Sequence, residues 1–282
     1  MSKKKVVVVT DTTACIPEEL VAQYGIPVIP LNVLWDGEAL KDGVDITPNQ
    51  FYARLAKSST TPTTSQPSVG EFVEFFEKVG ETAEEIVGLF LSDALSGTLD
   101  SARQAKEMVD IPVHLMDTKM IATALAIAVL EAHKMAEEGA TGEEILAMAS
   151  KAEAQSKVML IADTLEFLHR GGRIGGGRRF VGSLLSVKPV LHVKDGKVDS
   201  LASVRTKKKA VRRMFDELVS GLEGKTPIRI GVLHSNAQAD ADKLQEELQA
   251  RFPGVPVMNS PITPVVGTHL GPGALGLGYA YR

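Results

Sequence analysis

Small hydroxyl residues gather where an apolar segment runs into the start of a predicted helix. Residues 91 to 102 read LSDALSGTLDSA, which places Ser96 and Thr98 on either side of Gly97. A helix N-terminus presents unpaired backbone N–H groups, and a glycine lets a ligand approach the backbone closely. The junction could therefore hold an enzyme nucleophile, a phosphate or another anion, and these residues alone leave all three open.

A second segment is richer in hydroxyl groups than one helix cap requires. Residues 58 to 68, SSTTPTTSQPS, contain eight Ser or Thr residues among eleven. Ser68 has the capping-box spacing to Glu71, so part of this cluster only begins a helix. The hydroxyls that remain are candidates for binding an anion.

The hydroxyl residues could also belong to the active site of a hydrolase or transferase. Ser96 would be the nucleophile and His269 the base. Asp11 or Asp117 would orient the histidine. The nucleophile-elbow pattern G-x-S-x-G is absent around Ser96, so this enzyme is only an alternative.

Two glycine-rich stretches imitate nucleotide-binding motifs. GPGALG (271–276) matches G-x-G-x-x-G, but only six residues follow it, too few for a βαβ unit. GGRIGGGRR (171–179) lacks the Lys-Ser/Thr end of a phosphate loop. The six histidines form no HxH or HxxxH pair and there is no CxxC. We therefore expect no nucleotide cofactor and no metal.

The elements that must position these residues follow an α/β pattern. Short apolar runs predict strands at 5–11, 27–35, 84–92 and 112–118, alternating with helices. This alternation predicts a parallel sheet covered on both faces. Ligands in such sheets bind beyond the carboxyl ends of the strands, which is where both hydroxyl clusters fall.

The pattern changes after about residue 155. Residues 157–164 predict a strand, and residues 189–204 predict two strands joined by an Asp195-Gly196 turn. We therefore predict an α/β fold with two domains. Residues 1–155 form a three-layer parallel-sheet domain, and residues 156–282 form a mixed-sheet α/β domain.

Composition restricts the class of protein. The 282 residues are 44% hydrophobic, enough for two cores. The longest nearly apolar run, 120–130, is too short to span a bilayer, and the N-terminus lacks a secretory apolar region. Cys15 is the only cysteine, which excludes a disulfide framework and is typical of a reducing compartment. We expect a cytoplasmic protein without stable membrane insertion.

The charge is distributed unevenly. Residues 170–213 contain 13 Lys or Arg and two acids, Asp195 and Asp199, so their net charge is +11. Because the whole chain has a net charge of −4, the remaining residues have a net charge of −15. Such a block can contact nucleic acid, an acidic protein, phosphates or only solvent. Phe180 is the only aromatic residue in the block, and single-strand binding needs several. We therefore expect no nucleic-acid partner.

Six short motifs occur in one order along the chain: TSQPS (64–68), LSGTLDSA (95–102), DT (117–118), LEFLHRGGRI (165–174), KPVL (188–191) and GTHLGPGALG (267–276). Together they resemble the DegV family over essentially the whole chain. The resemblance implies a lipid-binding protein that holds a long-chain fatty acid between its domains. It further implies that a separate fatty acid kinase phosphorylates the presented acid for phospholipid synthesis, so that the chain itself is not an enzyme.

The resemblance also implies the residues of the site. Thr64 and Ser96 would bind the carboxylate, with Ser65, Gly97 and His269 nearby and Arg170 in the surrounding network. The chain departs from the family pattern at Asp93-Ala94, where a hydroxyl or basic residue is common, and we expect Asp93 to point to solvent.

The acyl tail should provide most of the affinity. Burying about 14 methylenes at roughly 0.8 kcal/mol each gives ~11 kcal/mol before ordering costs, against ~1–3 kcal/mol for the head-group bonds. Candidates for the tunnel lining are Ile29, Leu31, Val33, Ile121, Leu125, Phe167, Leu184 and Leu185.

The basic block is a candidate docking face for the kinase. Arg170, Arg173, Arg205 and Lys208 are the residues that we assign to it. The sequence does not determine the oligomeric state, and we take a monomer as the default.

Overall fold

The computed structural model describes residues 3–174 and 188–282. The strands are β1 (Lys4–Asp11), β2 (Val28–Ile29), β3 (Asn32–Trp35), β4 (Glu38–Lys41), β5 (Thr63–Ser65), β6 (Ala83–Phe90), β7 (Val113–Asp117), β8 (Ser156–Ile161), β9 (Lys188–Lys194), β10 (Lys197–Val204), β11 (Pro227–His234), β12 (Val257–Pro261) and β13 (Leu275–Tyr281). The helices are α1 (Glu18–Tyr24), α2 (Pro48–Leu55), α3 (Val69–Gly80), α4 (Thr98–Lys106), α5 (Ala122–Glu137), α6 (Gly142–Ala152), α7 (Glu166–Arg170), α8 (Lys207–Gly221), α9 (Gln238–Arg251) and α10 (Pro264–Leu270).

The first sheet is parallel, in the order β2-β1-β6-β7. Successive side chains of a strand point to opposite faces, and β6 shows this clearly. Ile86 and Phe90 pack with α3 and α4 on one face, whereas Val87 and Leu89 pack with α5 and α6 on the other. The predicted three-layer parallel arrangement is therefore confirmed.

The second sheet is mixed, in the order β10-β9-β8-β13-β11-β12. Only the β11–β12 pair is parallel. One face packs against α8 and α9, and the other faces α5. The mixed α/β fold is confirmed, although the sequence analysis missed β13, which lies at the centre of this sheet.

Helix α5 lies between the two sheets and contacts both. It packs against β1 of the parallel sheet and against β8, β11 and β13 of the mixed sheet. The close approach of α5 to β13 requires a glycine at position 278, because a Cβ atom built on Gly278 would lie 2.7 Å from Cβ of Thr123. One hydrophobic cluster consequently joins residues of both sheets. The division at residue 155 stays a prediction.

A small antiparallel sheet, β4-β3-β5, was not predicted. The sequence predicted a single strand over 27–35, but the chain is strand only at Val28–Ile29 and Asn32–Trp35, with Pro30 and Leu31 between them. β2 therefore pairs with the parallel sheet, whereas β3 pairs with β5. This pairing places Thr64 opposite Val33 and fixes the hydroxyl-rich segment.

Helix caps and the hairpin turn were predicted more accurately than the strand boundaries. Thr47, Ser68 and Thr141 each accept a hydrogen bond from the backbone N–H three residues later and form capping boxes with Gln50, Glu71 and Glu144. The box at Ser68 is the one predicted above. Asp195 and Gly196 both have positive φ in the β9–β10 turn, as a two-residue hairpin requires.

Candidate functional site

An apolar cavity lies beyond the carboxyl ends of the parallel strands, against the mixed sheet. Its wall is mostly aliphatic and combines Leu91 and Ile121 from the first sheet's loops with Leu160 and Leu233 of the second sheet and Val266 of α10. The cavity is narrow, with a volume of about 80 Å3, roughly half that of an engineered cavity that binds benzene. A hydrocarbon chain would therefore have to part the side chains that line it.

The polar side chains of the cavity include a pair from distant parts of the chain. Nε2 of His269, on α10, lies 2.9 Å from Oγ1 of Thr64, on β5. Both residues line the cavity. The contact is made because α10 packs against β3 and β5 of the small sheet.

His269 is a neutral imidazole at ordinary pH. Burial, and then the positive charge of Arg173, lowers the pKa of His269 to about 4. Its Nδ1 has no hydrogen-bond partner among the described residues. If the proton is on Nε2, the ring donates to Thr64 and leaves the threonine hydroxyl free to donate into the cavity. In that tautomer, His269 would orient Thr64 as a donor.

The hydroxyl of Ser96, like that of Thr64, has a polar side chain within hydrogen-bonding distance. Its Oγ lies 2.9 Å from Oγ1 of Thr98, which is fully buried in the first turn of α4. When Thr98 donates to Ser96, the serine hydroxyl can donate to a ligand. Two hydroxyls on separate elements, Thr64 and Ser96, can thus act as donors to one anionic group in the cavity.

Gly97 allows Gln66 to lie beside this pair. A Cβ atom built on Gly97 would lie 2.8 Å from Nε2 of Gln66. Gln66 lines the cavity and Gly97 does not. The side chain of Gln66 therefore adds amide donors that the sequence analysis did not assign to the site.

The geometry does not favour a hydrolase. Asp11 accepts hydrogen bonds from Thr13 and from the backbone N–H of Leu91. Asp117 accepts from the backbone N–H groups of Asp93 and Lys119. Neither of these two candidate acids therefore orients His269, and a pKa near 4 makes the imidazole a weak base at neutral pH.

Asp93 does not bring an uncompensated charge to the site. Its carboxylate lies 2.9 Å from Nη1 of Arg103. Asp93 is half-buried within this ion pair, so the expectation that it simply faces solvent was only partly correct. The pairing explains how an acid is tolerated at this position.

Comparison with known proteins places the chain in a family. A family model described as "Uncharacterised protein, DegV family" matches residues 5–282. The chain belongs to the DegV family. The DegV fatty-acid-binding protein of Bacillus subtilis has a crystal structure that is 35% identical, with a TM-score of 0.92, 99% of this chain and 100% of that chain covered.

Two further solved DegV-like structures are similar over their whole length. A DegV family protein of Thermus thermophilus, described for its fatty acid binding, is 33% identical with a TM-score of 0.91 and covers 99% and 100% of the two chains. A stearic-acid-binding protein of Eubacterium ventriosum is 25% identical with a TM-score of 0.87 and covers 100% and 98%. The predicted family is confirmed.

The structure brings together some of the carboxylate residues predicted from the DegV resemblance. Thr64, Ser65, Ser96 and His269 line the cavity. Arg170 does not; it is exposed and pairs with Glu166 and the hydroxyl of Thr61. Arg173, assigned to docking, instead lines the cavity and donates from Nε to the carbonyl of Leu95 at 3.3 Å.

The predicted tunnel residues are divided between cavity and core. Leu31 and Ile121 line the cavity. Ile29, Val33 and Leu125 are buried in three separate hydrophobic clusters, and Phe167 packs against Gly271. Leu184 and Leu185 lie outside the described residues.

The sequence predicted neither a metal site nor a stable membrane insertion. Residues 3–174 and 188–282 contain no group of three or more His, Cys, Asp or Glu side chains placed to hold a metal ion. Over the same ranges, no helix combines the length and apolar character that a bilayer crossing needs.

Proposed function

We propose that this chain binds a long-chain fatty acid, with the carboxylate at Thr64 and Ser96 and the tail in the apolar cavity. The observation that carries the proposal is the combination of an aliphatic cavity with two hydroxyls that each have a second polar partner. A monocarboxylate accepts hydrogen bonds from such oriented donors. The fatty-acid-binding relatives support the ligand class.

Arg173 also suits an anionic head group. It lies at the cavity, and its charge contributes to the low pKa of His269. The Nη1 atom donates to the carbonyl of Gly171 at 2.6 Å, which holds the guanidinium in place. A positive charge near the hydroxyl donors would favour the carboxylate over the protonated acid.

The head-group site is tested by removing both hydroxyls. We expect Thr64→Val with Ser96→Ala to weaken fatty acid binding by about 10- to 100-fold, because net hydrogen bonds to a charged group contribute about 1–3 kcal/mol. Native mass spectrometry would measure the co-purified acid, and titration with a fluorescent fatty acid would measure affinity. Thr82→Val, outside the cavity, is the control. Unchanged affinity in a folded double variant would contradict the assignment.

A single methyl group should test the role of His269. A Cβ atom on Gly171 would overlap Nδ1 of His269, although φ of Gly171 is ordinary at −72°. Gly171→Ala should therefore push the ring away from Thr64 and weaken fatty acid binding several-fold. Gly70→Ala is the matched control, because nothing lies within 4 Å of its Cβ position. Equal affinities of the two variants would argue against a positioning role for His269.

We further propose that the loaded protein is the non-catalytic partner of a fatty acid kinase. Arg205 and Lys208 are exposed near the N-terminus of α8 and have no ion pair among the described residues. Cations at a helix N-terminus are unfavourable for that helix, which supports a role in recognising an acidic surface or phosphates. The predicted monomer and cytoplasmic location stay predictions.

Charge reversal tests the docking face separately from ligand binding. We expect Arg205→Glu with Lys208→Glu to reduce acyl phosphate formation by added fatty acid kinase at least tenfold, while the variant keeps its bound fatty acid. Lys78→Glu with Lys151→Glu changes the net charge equally on other helices and should behave as wild type. Normal kinase coupling in the first variant would refute this face as the docking site.

A further inference from the structure

A second and larger cleft lies at the start of α10, where Thr263 and Pro264 line it. Its volume is about 810 Å3, and it is bounded by the start of α1, the loop after β4 and the end of β12. The two spaces have no lining residue in common. Fatty acid binding therefore leaves this cleft without a role.

Asp42 is a buried acid in the wall of this cleft. Its side chain is 0% exposed, and neither carboxylate oxygen has a donor in hydrogen-bonding geometry among the described residues. The hydroxyls of Thr12 and Thr263 and the N–H of Val265 face it and partly offset the burial. Burial nevertheless raises the pKa of Asp42 to about 7.

Within residues 3–174 and 188–282, no Lys, Arg or His lines the cleft beside Asp42. The titratable groups that influence it are Asp11, Cys15 and Tyr52, and none of these is basic. The carboxylate of Asp11 already accepts from Thr13 and Leu91. An unpaired buried carboxylate is costly, so a cationic ligand would relieve an existing penalty.

The remaining lining residues suit a ligand that carries N–H donors. Glu18 and Glu19 are exposed in the wall of the cleft. Hydroxyl and amide oxygens are supplied by Thr12, Thr47, Asn49, Asn259 and Thr263, and the described lining includes no Lys, Arg or His. Ile16, Val21 and Val28 add an apolar surface for a short carbon chain.

We propose that this cleft binds an organic cation, the ammonium or guanidinium end of a small molecule, which pairs with Asp42. Such groups present several N–H donors and no acceptor, the complement of this wall. Both oxygens of Asp42 lie beneath the cleft surface, so pairing includes a local movement of the wall. Because the cation favours the ionised acid, binding strengthens as the pH rises.

Calorimetric titration of the full chain with agmatine and with putrescine at pH 8 tests this site. We expect measurable binding by wild type and by Asp110→Asn, whose exposed acid lies elsewhere. Asp42→Asn should bind at least tenfold more weakly, and 1,4-butanediol, a neutral analogue of putrescine, should not bind. At pH 6, with most of Asp42 protonated, wild-type affinity should fall by roughly tenfold.

Three outcomes would overturn the site: no heat of binding at millimolar ligand, equal binding of the neutral diol, or equal affinity of wild type and Asp42→Asn. Circular dichroism of Asp42→Asn shows whether the variant is folded. If Asp42→Asn still contains its bound fatty acid, a loss of cation binding is specific to this cleft and does not reflect damage to the acyl cavity.

Discussion

Val266→Phe is expected to abolish fatty acid binding, lowering the affinity by more than about 100-fold. Val266 lines the narrow cavity from α10 and is 7% exposed, so a phenyl ring there would occupy the path of the acyl chain. The loss should exceed that of the hydroxyl variants because the tail contributes ~11 kcal/mol before ordering costs. Native mass spectrometry and fluorescent fatty acid titration provide the measurement.

The same enlargement elsewhere serves as the control. Val211→Phe adds a ring to α8, next to the hydrophobic cluster on the far face of the mixed sheet. Overpacking costs about 1–3 kcal/mol of stability at such sites, so both variants should unfold at lower temperature and only Val266→Phe should lose the ligand. A Val266→Phe protein that retains wild-type affinity would show that the tail lies elsewhere.

Asp42→Asn should stabilise the fold at alkaline pH. The folded-state pKa of Asp42 is raised from 3.8 to about 7, first by burial. Each pH unit of such a change corresponds to about 1.4 kcal/mol. Between about pH 4 and pH 7, Asp42 is protonated in the folded protein but ionised in the unfolded chain. The contribution of Asp42 to the stability of wild type is therefore greatest at low pH, where Asp42 is protonated in both states, and it falls as the pH rises from about 4 to 7.

Urea unfolding at pH 4 and pH 8 measures this effect. At pH 8 the variant should be more stable than wild type by on the order of 4 kcal/mol, and the difference should approach zero near pH 4. Asp110→Asn, which removes an exposed acid, should show no such trend. A difference that is independent of pH would mean that Asp42 ionises without penalty in the folded protein.

The sequence predicted those features that depend on neighbouring residues. The capping box at Ser68 and the turn at Asp195 and Gly196 need contacts over only a few residues, so composition and spacing were sufficient. Strand β13 was missed because Gly276 and Gly278 break the β-branched pattern of a strand. The strand is instead held by pairing with β8 and β11, and Gly278 admits Thr123 of α5; no local pattern encodes these contacts.

The site was predicted from the resemblance to the DegV family and not from local physics. Thr64 and His269 are separated by 205 positions in the chain, and spacing alone could not bring them together. Gln66 was overlooked although it belongs to the same TSQPS motif, and Thr98 was not among the residues assigned to the carboxylate. The tunnel residues were the least predictable, because Leu31 and Val33 are both apolar and buried while only Leu31 reaches the cavity.

Helix α5 makes a hinge-like separation of the two sheets energetically unfavourable. Ten of its sixteen residues are buried, and they face strands of both sheets. Swinging the halves apart would expose this apolar helix to water, at about 25 cal/mol for each Å2 uncovered. A ligand in the cavity must therefore enter and leave by displacement of side chains and loops around the opening, so its exchange rate should depend on motions of that rim.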